Sequence, residues 1–171
     1  KTKTLNVKTY DDMLKLAGKF SELVLRYGER EIDLAYCHGD FHQGNILADH
    51  ERVWILDWEY SGERQIAYDL FVLLMGTRVE SGFAQRFIKL LDDNVTPKEA
   101  DIISKWPGLS WVKENKTVHL LLFLIEDLVF HACEKNNPMF YSSTDMHKAR
   151  IREFENIVEH FENKQIKMTC F

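Results

Sequence analysis

The chain has 171 residues, 45% of them hydrophobic and 12% aromatic, which is enough for one packed domain and unlike a disordered chain. Its formal net charge of −5 and the lack of a clustered basic face argue against a nucleic-acid binder. The longest apolar run, residues 118–125, is broken by His119 and followed by Glu126 and Asp127, so it is too short to span a bilayer and no membrane partner is expected.

Three cysteines, Cys37, Cys133 and Cys170, are far apart and form no CxxC pair. Reduced thiols, a reducing compartment and a cytoplasmic location are expected. Helical spacing dominates the sequence. The first predicted helix covers residues 11–27, with Leu14, Leu16, Ala17, Phe20, Leu23, Val24 and Tyr27 on its apolar face. Thr9 and Asp12 resemble a capping box, and Gly28 is the expected stop. Residues 34–37 read as a brief strand. Residues 45–48 and 53–56 are short apolar runs around the polar turn Asp49-His50-Glu51-Arg52, the pattern of a small β-hairpin.

Beyond the hairpin, helix follows helix. Residues 66–75 are mostly apolar, and residues 82–91 come next. Thr96-Pro97-Lys98-Glu99 is a helix start, with a cap, Pro at the first position and Glu at the third. Residues 116–135 form a long apolar helix, and residues 144–163 carry Ile151, Phe154, Val158 and Phe161 on one face. The expected fold is a single domain over residues 1–171, mainly α with a small β-hairpin.

The polar residues cluster around that hairpin. Asp40 and Asn45 precede it, and Asp57 ends its second strand. A formed hairpin sets Asn45 and Asp57 side by side, an amide oxygen and a carboxylate suited to Mg²⁺ holding substrate phosphates. Asp40 is then placed to accept a proton from an attacking hydroxyl. Each residue has a plain alternative: a Gly-Asp turn for Asp40, and strand caps for Asn45 and Asp57. The three in register favour chemistry.

The segments His38-Gly39-Asp40-Phe41-His42-Gln43-Gly44-Asn45-Ile46-Leu47 and Ile55-Leu56-Asp57-Trp58-Glu59-Tyr60-Ser61-Gly62 resemble the aminoglycoside phosphotransferase and choline kinase-like family. That family has an HGDxxxxN loop followed by an I-D-W/F-E segment, and it is related to the protein kinases. Ala67-Tyr68-Asp69-Leu70 resembles its next landmark. The resemblance implies the C-terminal catalytic lobe of a kinase-like fold and ATP-dependent phosphorylation of a small-molecule hydroxyl, with Mg²⁺ and ATP as cofactors. It further implies Asp40 as catalytic base, Asn45 and Asp57 as metal ligands, His38 as support for the loop, and Asp69 as its brace.

Other residues carry two readings. Glu59 reaches the substrate side or is a surface charge. His42 touches phosphate or acceptor, or packs the loop. Glu126 and Asp127 line a pocket for a cationic acceptor such as an amino sugar or choline, or they face solvent or pair with a Lys or Arg. Trp58, Tyr60, Trp106 and Trp111 form aromatic walls or belong to the core. A zinc site on Cys37, His38 and His42 matches no familiar spacing. A metallophosphoesterase reading of residues 38–40 lacks further Asp/His and Asn-His blocks.

The resemblance also implies a second, nucleotide-gripping lobe with a Gly-rich loop and a strand lysine, and neither motif occurs in these residues. The chain begins with Lys1 rather than Met. The expectation is a lobe of a longer protein that does the catalysis, with the lobe alone inactive and binding ATP weakly or not at all. The alternative is a non-catalytic binding or structural module, since some spore-coat-associated proteins resemble the same family.

Overall fold

The computed structural model describes residues 7–27, 31–77, 81–106, 113–133 and 144–169. Gly28 and Trp111 lie outside them. Helix α1 (Val7–Arg26) starts ahead of the expected residue 11, so Thr9 lies within the helix instead of ahead of it. Its buried stripe is Met13, Leu16, Phe20 and Leu23, with Ala17 and Val24 packed beside it. Leu14 and Tyr27, expected on this face, are exposed at 51% and 37%. Met13 follows the three- and four-residue spacing of the stripe, whereas Leu14 is turned about 100° away from it.

Strand β1 (Leu34–Cys37) forms as expected, but it pairs antiparallel with a strand that the sequence did not suggest. The partner is the polar segment Gly62–Gln65, with Leu34 opposite Gln65 and Cys37 opposite Gly62. The expected hairpin is also present. Strands β2 (Ile46–Ala48) and β3 (Val53–Ile55) pair with Ile46 opposite Ile55, and Gly62–Gln65 is therefore β4. The Asp49 carboxylate closes the β2–β3 turn by accepting the amides of Glu51 and Arg52, each at 2.8 Å.

The helices follow: α2 (Tyr68–Met75), α3 (Phe83–Leu91), α4 (Pro97–Lys105), α5 (Lys113–Cys133) and α6 (Thr144–Thr169). α5 starts earlier than expected, and α6 runs past the expected residue 163. Thr96 and Glu99 form the expected capping box, each side chain bonding the other's backbone amide.

α1 packs mainly on α5 and also on α6, which in turn packs on α3. The core is rich in phenylalanine. Phe123 on α5 meets Tyr68, Phe71 and Phe83 at ring distances of 5.3, 5.4 and 6.4 Å. Ile151, Phe154, Val158 and Phe161 are all buried, as their spacing predicts.

Polar clamps join distant parts of the chain. Glu153 on α6 accepts the amides of Gly82 and Ala84 at 2.8 and 2.7 Å, satisfying the N-terminus of α3. At the other end of α3, buried Lys116 donates to the Leu90 carbonyl at 3.0 Å and to Asp93 at 2.5 Å. Among the described residues no helix is long and apolar enough to cross a membrane.

Phe123 is fully buried among these rings. Phe123→Ala is expected to cost about 3–5 kcal/mol of stability, read by urea denaturation. Cys37 is also buried, and burial, reinforced by the charge of Asp69, pushes its thiol up from 9.0 to about 11. A raised pKa disfavours the reactive thiolate, so mass-mapped alkylation at pH 8 is expected to spare Cys37 until the chain unfolds.

Candidate active site

The site is built on the loop that follows β1. Its backbone is held by one carboxylate. Asp69, in the first turn of α2, accepts the His38 amide at 2.6 Å and the Gly39 amide at 2.9 Å. Both donors lie just past the end of β1, and the carboxylate supplies their partners.

His38 fixes the next layer. Its Nδ1 accepts the Asp40 amide at 3.2 Å, so Nε2 carries the hydrogen and donates to the Leu56 carbonyl at 2.7 Å. The ring also packs against Trp58 at 4.8 Å and edge-on to Phe41 at 6.1 Å, and Phe41 meets Trp106 at 6.0 Å. One buried histidine thus ties the loop to the end of the hairpin. Gly39 allows a second tie. Its φ is +83°, and a Cβ there would fall 2.1 Å from the Tyr60 carbonyl oxygen.

Asp40 and Asn45 are both buried. The Asn45 amide nitrogen donates to the Asp40 carbonyl at 3.1 Å and faces Asp40 Oδ2 at 3.5 Å. With the nitrogen so placed, the oxygen is the amide atom suited to a cation. The Leu56 amide donates to the Asn45 carbonyl at 2.9 Å, which extends the hairpin ladder by one rung. Asp57 is the next residue. It has left-handed backbone angles (φ 64°, ψ 61°), which Asp tolerates better than most residues, and it is exposed.

Asn45 and Asp57 thus sit at the open end of one hairpin as hard oxygen donors. Among the described residues no group of three or more His, Cys, Asp or Glu side chains gathers to hold a metal. Two protein oxygens completed by substrate phosphates suit Mg²⁺, which rarely uses an all-protein cage. Zinc on Cys37, His38 and His42 does not fit. The Cys37 sulfur donates to the Gln65 carbonyl at 3.8 Å, and both His38 ring nitrogens are occupied.

The remaining candidates are distributed differently. Asp127 is 4% exposed and lines a small pocket with Gly39, Asp40, Tyr68 and Phe130. Burial, with the charge of Asp127 beside it, pushes the Tyr68 phenol well above its ordinary range. Glu126 does not line this pocket. It pairs with Arg64 at 3.0 Å, and although Arg64 opposes the effect, burial still raises its pKa. Glu59 is exposed in the 3₁₀ turn Trp58–Tyr60. Trp58 is 48% exposed rather than core, while Tyr60 packs on Phe130 at 4.9 Å.

Sequence reasoning did not single out Arg64 or Tyr68. Arg64 stacks over the Tyr68 ring at 4.4 Å as well as pairing with Glu126. The only available signal was that an acid on an apolar helix needs a cation.

Asp69→Asn replaces an acceptor of two amides with a group that has one oxygen. It is expected to cost about 1–3 kcal/mol and to speed hydrogen exchange at the His38 and Gly39 amides at least about tenfold. Unchanged exchange at these two amides would contradict the bracing role.

Residues 6–100 match the profile of the phosphotransferase enzyme family. The matched span holds Asp40, Asn45, Asp57 and Asp69, and it ends before α5 with Glu126 and Asp127. No curated protein and no solved structure gives a match. The loop, the hairpin and the profile agree, and the chain belongs to the phosphotransferase enzyme family.

Proposed function

We propose that this chain is the catalytic lobe of a small-molecule kinase that moves a phosphoryl group from ATP to an alcohol. The observation that carries this reading is the buried Asp40–Asn45 pair, clamped by Asp69 and His38 beside the exposed Asp57 carboxylate. The geometry suits phosphoryl transfer, where positioning and charge neutralisation matter more than covalent chemistry by the protein.

Asp40 orients the acceptor hydroxyl and takes its proton. As it does so, the acceptor oxygen bonds to the transferred phosphorus. The electron pair of the broken bond goes to the leaving diphosphate oxygen. Asn45 and Asp57 are the residues that would hold Mg²⁺, and the ion would supply neutralisation of phosphate charge.

Asp127 beside Asp40 makes the pocket acidic and favours a cationic acceptor, such as an aminated sugar or an amino alcohol. Glu126, held by Arg64, is left to a structural role. Because the 171 residues contain no Gly-rich phosphate loop, we assign the activity to a longer protein.

The test is phosphate transfer by the full-length protein to a panel of amino sugars, choline, homoserine and uncharged alcohols. Asp40→Asn is expected to lower kcat by about 10²–10⁴-fold. Full activity in that variant would remove Asp40 from the role of base. Equal turnover of charged and uncharged acceptors would remove Asp127 from acceptor selection.

A further inference from the structure

We infer that His42 is a positioning residue that orients the Asp40 carboxylate; the inference rests on the reading of Asp40 as the base. Three observations carry it. First, the ring is locked, because His42 caps the 3₁₀ turn Gln43–Asn45 and its Nδ1 accepts the Gly44 amide at 3.0 Å. Second, the ring lies directly on Gly44. A Cβ at that position would fall 2.7 Å from the ring Cε1, so the absent side chain of Gly44 is the space the imidazole uses. Third, Nε2 faces Asp40 Oδ2 at 3.5 Å.

The first observation determines what the third means. Since Nδ1 is an acceptor, the neutral ring carries its hydrogen on Nε2, the atom turned to Asp40. Asp40 Oδ2 therefore lies between two N–H groups, from His42 and from Asn45, each at 3.5 Å. These contacts are too long for full hydrogen bonds, but they act as dipoles aimed at a carboxylate whose residue is 6% exposed. A carboxylate with one oxygen so directed has fewer rotamers to sample, which is what near-attack geometry requires.

His42 does not relay the proton. Nε2 already carries hydrogen, and Nδ1 is occupied by Gly44.

Two substitutions separate the two ring nitrogens. His42→Asn keeps an acceptor near the place of Nδ1 and removes the donor near Asp40. His42→Gln keeps a donor near the place of Nε2 and removes the acceptor. In the full-length protein, with an acceptor taken from the panel, His42→Asn is expected to lower kcat by about 10- to 100-fold while leaving the acceptor KM within about twofold. His42→Gln is expected to recover most of that rate. Retention of kcat in His42→Asn, or a larger loss in His42→Gln than in His42→Asn, overturns the inference and leaves His42 a loop cap.

A second measurement does not need turnover. In ¹⁵N-histidine spectra of the full-length protein, the signal lost in His42→Asn is expected to show the Nε2–H tautomer and to shift in Asp40→Asn. An Nδ1–H tautomer, or a signal unmoved by Asp40→Asn, overturns it. If the wild-type protein transfers phosphate to no alcohol, the kinase reading fails and this spectrum alone decides the pairing of His42 with Asp40.

Discussion

The site depends on one carboxylate receiving two amides. β1 ends at Cys37, so the chain leaves its ladder just where His38 and Gly39 must turn toward Asp40. In a buried setting, two backbone donors without partners would each cost more than a typical hydrogen bond contributes. Asp69 accepts both, and it does so from the first turn of α2, where the helix dipole favours a negative charge. The loop is thereby referenced to a buried helix instead of to the exposed ribbon from which it emerges. His38, Asp40 and Asn45 inherit their positions from that anchor.

From there the order spreads by short links, each using a different property of the chain. His38 uses both ring nitrogens to join Asp40 to Leu56. Gly39 uses its missing side chain to let the Tyr60 backbone approach. Asn45 uses its amide nitrogen on Asp40. The result joins residues 38–45 to residues 56–60 by the His38 side chain, the backbone bond from Leu56 to Asn45 and the close approach of Gly39 to the Tyr60 carbonyl. Asp127, which lines the pocket with Asp40, comes from a helix beyond the matched family span, so the walls of that pocket belong to separate parts of the chain.

Much of this was legible in the sequence. The hairpin, the helix order, the capping box at Thr96 and the buried face of α6 follow from local spacing and turn chemistry. The meeting of Asp40 with Asn45 in the loop follows from their five-residue spacing across a short turn. What could not be read depended on partners far along the chain. β4 carries Gly, Glu, Arg and Gln, with no apolar alternation, and shows itself only through its pairing with β1. Leu14 looked like core because Leu usually is, while its place one residue after Met13 on the helix turned it outward. Glu126 and Asp127 are neighbours in sequence, yet one faces Arg64 and the other the pocket, a difference that only the fold can make.

The clamp between Glu153 and the start of α3 has a consequence for the order of events during synthesis. Gly82 and Glu153 are 71 residues apart, and the amide at Gly82 gains this partner only once that stretch of α6 has been made. α1 likewise packs on α5 and α6, so the first helix waits for the last two. A growing chain therefore carries the loop after β1 and α2 for some time before the surfaces that pack on them exist. Contacts of such long sequence separation slow folding and prolong the exposure of apolar faces. A nascent chain paused before α6 leaves the faces of α1 and α3 that α6 covers open to solvent.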